Sequence, residues 1–214
     1  LDSWLTDDQA PSRLLLTAPA GRGKSALLVH WVTSLHPRNF TNHSEGGWCV
    51  AFVPISIRMS TNLPSVFYQA LAKRLADFAG EGLPAPRSDT GVYYADHAGR
   101  LLRQLAKTDH RVLVVMDGLD EAVGGRFEAS LVPRLDNPNL KILLSARRQE
   151  NDVDATGWLR RLKWDGVQVR TLELHSLEAN EVADVLWKMG APLDVLSRQH
   201  PIVDRLTYLT EGEP

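Results

Sequence analysis

Apolar and polar positions along this chain alternate in two kinds of block. Short apolar runs at 13–18, 48–58, 112–116, 141–146 and 169–174 read as strands, and segments with apolar residues three and four apart lie between them. Leu27, Leu28, Trp31, Val32 and Leu35 share one helical face. Val66, Phe67, Ala70, Leu71 and Leu75 share another, within a helix over 63–79, and a third helix covers 92–107. Val112-Leu-Val-Val-Met116 is apolar on both pleat faces, as a strand covered on both sides must be. After the fifth strand, Ser176 is placed to cap a helix whose inward stripe is Val182, Val185, Leu186 and Met189. His36-Pro37 ends the first long helix before a polar loop at 39–47, and 80–91, with two prolines and three glycines, is an exposed excursion. The alternation predicts an α/β fold, a parallel five-stranded sheet sandwiched by helices. One domain is expected over 1–190, and the weaker helical pattern over 191–214 is expected to begin a helical lid subdomain.

The first strand runs directly into Ala18-Pro-Ala-Gly-Arg-Gly-Lys24-Ser25, and a helix follows at once. Strand, Gly-rich turn, Lys-Ser and helix together form a phosphate-binding loop. Gly21 and Gly23 let the backbone curl so that N–H groups of Ala20, Gly21, Arg22, Gly23, Lys24, Ser25 and Ala26 can surround phosphate oxygens. Lys24 can reach the β- and γ-phosphates, Ser25 can ligate Mg²⁺, and the helix N-terminus adds its dipole beneath the same anion. Ala18 stands where the strict pattern has its first glycine.

The 112–116 strand lifts Asp117-Gly-Leu-Asp-Glu121 to its C-terminal tip, the edge where open α/β sheets bind ligands. Asp117 is suited to hold Mg²⁺ through water, and either Asp120 or Glu121 can orient the attacking water. Just past the tip of the 141–146 strand, Arg147 can meet a terminal phosphate; Ser145 is the other candidate for that sensing role.

Bulk properties narrow the partners. The 214 residues suffice for one α/β domain with a substantial core, and a net charge of -2 offers no basic face to draw in nucleic acid. Cys49 is the only cysteine, so no internal disulfide can form and a reduced, cytoplasmic setting is expected. No apolar run approaches the length of a membrane span. His36 and His43 lack companions at metal spacing, so no zinc site is expected. The chain begins without Met and stops on Gly212-Glu213-Pro214, and is expected to be a piece of something larger.

The phosphate loop, Asp117-Gly-Leu-Asp-Glu121, Leu-Ser-Ala-Arg147 and Thr210-Glu-Gly212-Glu-Pro214 together resemble a signal-transduction ATPase with numerous domains, of the NACHT-type, NLR-like subgroup that includes bacterial antiphage proteins. The Asp-Gly-Leu-Asp-Glu form carries most of that likeness. The resemblance implies a P-loop NTPase fold of the ASCE/AAA-like kind, ATP or ADP with Mg²⁺ as ligands, and Pro214 against the adenine. It also implies a switch: ADP holds a closed monomer, and exchange for ATP, with a phage protein as trigger, opens it for self-association. Two alternatives stand beside this: a nucleotide-binding scaffold with negligible turnover, and a DNA-associated motor ATPase of the broader AAA group.

Overall fold

The computed structural model describes residues 1–35, 47–86, 90–125, 137–149, 152 and 154–212. The five apolar runs become β1 (Arg13–Ala18), β2 (Trp48–Pro54), β3 (Arg111–Asp117), β4 (Leu140–Arg147) and β5 (Arg170–Glu173). They form one sheet in the order β2-β3-β4-β1-β5, and every neighbouring pair is parallel. Strands with neighbours on both sides are buried nearly throughout, whereas β5 at the edge is half-exposed.

The two-residue period of each strand divides the core between two faces. Leu14 and Leu16 of β1, with Leu113 and Val115 of β3, pack with Trp4, Leu28, Trp31 and Val32. Those last four belong to α1 (Asp2–Thr6) and α2 (Lys24–Leu35). Leu15, Val112, Val114 and Met116 point the other way, against Phe67, Tyr68, Leu71 and Leu75 of α3 (Pro64–Ala79) and Ala98, Leu101 and Leu102 of α4 (Thr90–Leu105). The chain continues through α5 (Thr156–Arg161), α6 (Ala179–Met189), a 3₁₀ segment (Leu193–Arg198) and α7 (His200–Thr210). The last three pack on one another.

Several expectations need correction. The second strand stops at Pro54, not at 58, because Ser56, Ser60 and Thr61 close a polar turn through Thr61 N to Ser56 O at 2.9 Å. On α3 the inward face is Phe67, Tyr68, Leu71, Ala72, Leu75 and Ala76, which leaves Val66 and Ala70 outside. Leu27 of α2 is likewise exposed. The cap of α6 is Glu178, not Ser176; its side chain and that of Glu181 form a reciprocal capping box. Only Leu186 of the expected α6 stripe is buried. The loop expected over 39–47, apart from Gly47, and both His36 and His43 lie outside the described residues.

The residues before β1 are anchored from beneath the sheet. Lys141, fully buried at the start of β4, donates its ammonium to the carbonyls of Asp7 at 3.1 Å and Ala10 at 2.8 Å. The same ammonium lies 5.7 Å from the centroid of the buried Trp4 ring, within cation–π range. Trp4 donates its indole N–H to the Pro11 carbonyl at 2.7 Å.

Candidate functional site

All strands being parallel, their C-terminal tips gather at one edge, and β1 delivers the loop 18–25 there. Gly21 and Gly23 hold positive φ of 77° and 74°, which turns the backbone into the first turn of α2. The ammonium of Lys24 folds back over the loop and donates to the carbonyls of Ala18 at 3.3 Å and Pro19 at 3.2 Å. Burial pushes its pKa down from the usual lysine value; Asp120 and Asp117 oppose that, and Arg147 adds to it. Ser25 and Ala26 are exposed at the start of α2.

The tips of β3 and β4 are tied together. Ser145, fully buried, donates its hydroxyl to Asp117 Oδ1 and accepts the Gly118 N–H at 3.1 Å. A Cβ on Gly118 would overlap the Ile55 carbonyl oxygen, so the residue after Asp117 has to lack a side chain. Asp120 Oδ1 accepts the Arg147 N–H at 2.7 Å, and its Oδ2 lies 3.6 Å from the Arg147 guanidinium. Glu121 accepts the Ile57 N–H at 2.7 Å. On the far side of Arg147, the Trp158 indole N–H donates to its carbonyl at 2.8 Å. Arg147 is thus held through its backbone at both ends while half its side chain faces solvent.

Between these groups lies a cavity of about 210 Å³. Ala20, Gly21, Arg22, Gly23, Lys24, Ser25 and Ala26 form one wall; Asp117, Gly118, Asp120, Glu121 and Arg147 form the other. The structure therefore brings the loop residues, Asp117, Asp120, Glu121 and Arg147 around one cavity; Ser145, the other sensing candidate, is fully buried behind Asp117 and does not line it, and Pro214 lies outside the described residues.

Residues 1–147 match the family model described as Nephrocystin 3, N-terminal. The chain belongs to that family. The matched stretch runs from the first residue to the tip of β4, so it carries the whole cavity wall. No curated protein matches the chain. Solved structures with a similar course include the Aeropyrum pernix ORC1 protein in complex with DNA, at 19% identity and TM-score 0.49 over 84% of this chain and 44% of that one. The Aeropyrum pernix ORC2 protein in its ADPNP–ADP complexes follows at 13% and 0.47, over 83% and 45%. A DNA replication initiation factor gives 13% and 0.45, over 99% and 60%. This chain spans less than two thirds of each of them, and at this distance they assign it neither ligand nor partner. Its sheet, loop and helix order are those of a P-loop ATPase-like fold.

The residues of this nephrocystin-3 N-terminal family member fit a nucleotide with Mg²⁺. The loop wall offers a lysine and a helix N-terminus to an anion, and the cavity is smaller than the roughly 300–1,000 Å³ that encloses a whole drug-sized ligand. The cavity is open to solvent, and its walls face the phosphate part of a nucleotide. Arg22 Nε is buried without a hydrogen-bond partner, a donor awaiting an acceptor. Among the described residues no group of three His, Cys, Asp or Glu gathers to hold a metal. A cation here would draw on Asp117 and Ser25 with phosphate and water, as Mg²⁺ does. Two positioning groups, Trp158 and the main chain of Ile57, stand outside the expected site. Nothing in their local patterns marks them, because each acts on a residue distant in sequence.

Proposed function

We propose that this chain is the ATP-binding and hydrolysing core of a NACHT-like, STAND-type switch. In a protein of that kind, nucleotide state would control conformation and self-association, in antiviral defence with a phage component as trigger. What supports this most directly is that Lys24 and Asp117 face one cavity while Arg147, at its rim, rests on Asp120. Asp117 and Ser25 would hold Mg²⁺, which when bound would supply charge neutralisation at the phosphates. Lys24 would leave the Ala18 and Pro19 carbonyls for phosphate, whose charge would offset the burial that disfavours its ammonium. Arg147 would swing from Asp120 to the terminal phosphate, leaving that carboxylate to orient water. Because Arg147 has one partner without the γ-phosphate and another with it, the two nucleotide states differ in a contact that a conformational switch can use. The region 191–214, with the 3₁₀ segment and α7, would begin the lid, and the half-buried Cys49 suits a reduced, cytoplasmic setting.

A specific observation favours a second reading, a nucleotide-binding scaffold with negligible turnover. Asp120 and Glu121 both accept main-chain N–H groups, so neither carboxylate is fully available as a base. Single-turnover hydrolysis of ATP with Mg²⁺, compared between the parent and the Asp120→Ala, Glu121→Ala double variant, separates the two. The ATPase reading expects the double variant to be slower by roughly 10²-fold or more. Equal rates would leave the scaffold.

A further inference from the structure

Arg22 makes a contact that the phosphate loop does not require. Its Nη1 donates to the Glu211 carbonyl at 2.9 Å, across 189 positions of sequence, at the C-terminal end of α7. Its Nε is buried with no hydrogen-bond partner, and the residue lines the cavity beside Lys24. The α7 end is also fastened from the other side. The Leu177 N–H donates to the Gly212 carbonyl at 2.8 Å just past β5, and the Gly212 N–H returns to Thr207 O at 3.1 Å. Gly212 has φ 69°, and a Cβ there would overlap the Leu177 carbonyl oxygen.

A guanidinium carries five N–H donors in one rigid plane, so it can hold two acceptors in a fixed relation, which an ammonium on a flexible stem cannot. Here one edge already holds a carbonyl of the helix end. The Nε lacks an acceptor and is closed off from solvent here; a side-chain shift that opens it to the cavity would let an anionic oxygen supply a charge-assisted bond. Resting on the nucleotide reading above, we propose that Arg22 bridges the bound nucleotide and α7: Nε takes a phosphate oxygen while Nη1 keeps the Glu211 carbonyl. Ligand and helix end then stabilise each other. By thermodynamic reciprocity, whatever factor ADP adds to the docking of 207–212 is the factor that docking adds to ADP affinity.

The test uses the 214-residue chain with ADP and Mg²⁺. Calorimetry measures affinity, and hydrogen–deuterium exchange follows the 204–212 segment. ADP is expected to slow exchange there in the parent, while adenosine, which has no phosphate, does not. Arg22→Ala should weaken ADP roughly tenfold and remove the ADP-dependent protection, and Arg22→Lys, which keeps the charge but not the fork, should behave alike. Gly212→Ala, which leaves the loop untouched, should weaken ADP by a similar factor, and the double variant should lose little more than either single one. Protection by ADP that survives in Arg22→Ala, equal protection by adenosine, or fully additive losses would each overturn the bridge while leaving nucleotide binding in place. Failure of the parent to bind ADP would remove both.

Discussion

Replacing Ser145 by Ala removes one oxygen from a fully buried position and isolates its consequences well. The hydroxyl serves two partners, the Asp117 carboxylate and the Gly118 N–H. Gly118 keeps a second acceptor, since its N–H also reaches the Ser145 carbonyl at 3.2 Å, so that half of the loss is small. Asp117 is only 6% exposed and loses a donor to a charged group. Bonds of that kind contribute roughly 1.5–3 kcal/mol. The void left is one atom in size and adds little. A destabilisation of about 2 kcal/mol follows, which for a domain of this length lowers the melting temperature by roughly 4–8 °C. Thermal unfolding followed by circular dichroism, with urea midpoints as a second measure, checks it. Because Asp117 also loses its fixed orientation, nucleotide affinity measured with Mg²⁺ should fall while affinity measured in EDTA stays the same. A melting shift within 1 °C or so, with unchanged Mg²⁺ dependence, would refute the view that this hydroxyl sets the aspartate.

Lys24→Ala should reduce affinity for ATP and ADP by at least an order of magnitude and leave adenosine binding nearly unaltered; parallel losses would remove Lys24 from the phosphates. Lys141→Met should cost about 2–4 kcal/mol in urea unfolding, since it strips the Asp7 and Ala10 carbonyls of a buried charged donor; a neutral result would show that water replaces it. Burial pushes the Cys49 thiol above its usual value, so the thiolate fraction at pH 8 is smaller in the folded protein than in urea. Alkylation should therefore be slower in the native state and rise with pH later than for a free thiol, and equal rates would contradict that burial.

The sheet and one wall of the cavity were legible because they follow from local rules. A buried run such as 112–116 is apolar on both faces, and glycines at 21 and 23 announce a turn wherever they stand. The tip residues Asp117, Asp120 and Arg147 could be placed because parallel strands present their C-terminal ends together. Other features depend on partners that a linear pattern does not reveal. Glu178 rather than Ser176 caps α6 because Glu181 sits where it can reciprocate, a pairing that a serine's own capping preference does not reveal. The five-residue α1 is too short for its periodicity to register, and it is held by Trp4 and by a lysine of β4. The Arg22–Glu211 contact links positions that only the finished fold brings close.

The brevity of β5 bears on how copies of this molecule could meet. With four residues, and with Glu173 at its end engaged by Arg148 at 2.7 Å, that rim of the sheet offers a neighbouring chain only a stub of main chain to pair with. Ribbon-to-ribbon stacking along it would gain few bonds. Any contact made through this rim would have to be stitched through side chains on the neighbouring helices and loops, while the seven-residue β2 forms the opposite edge.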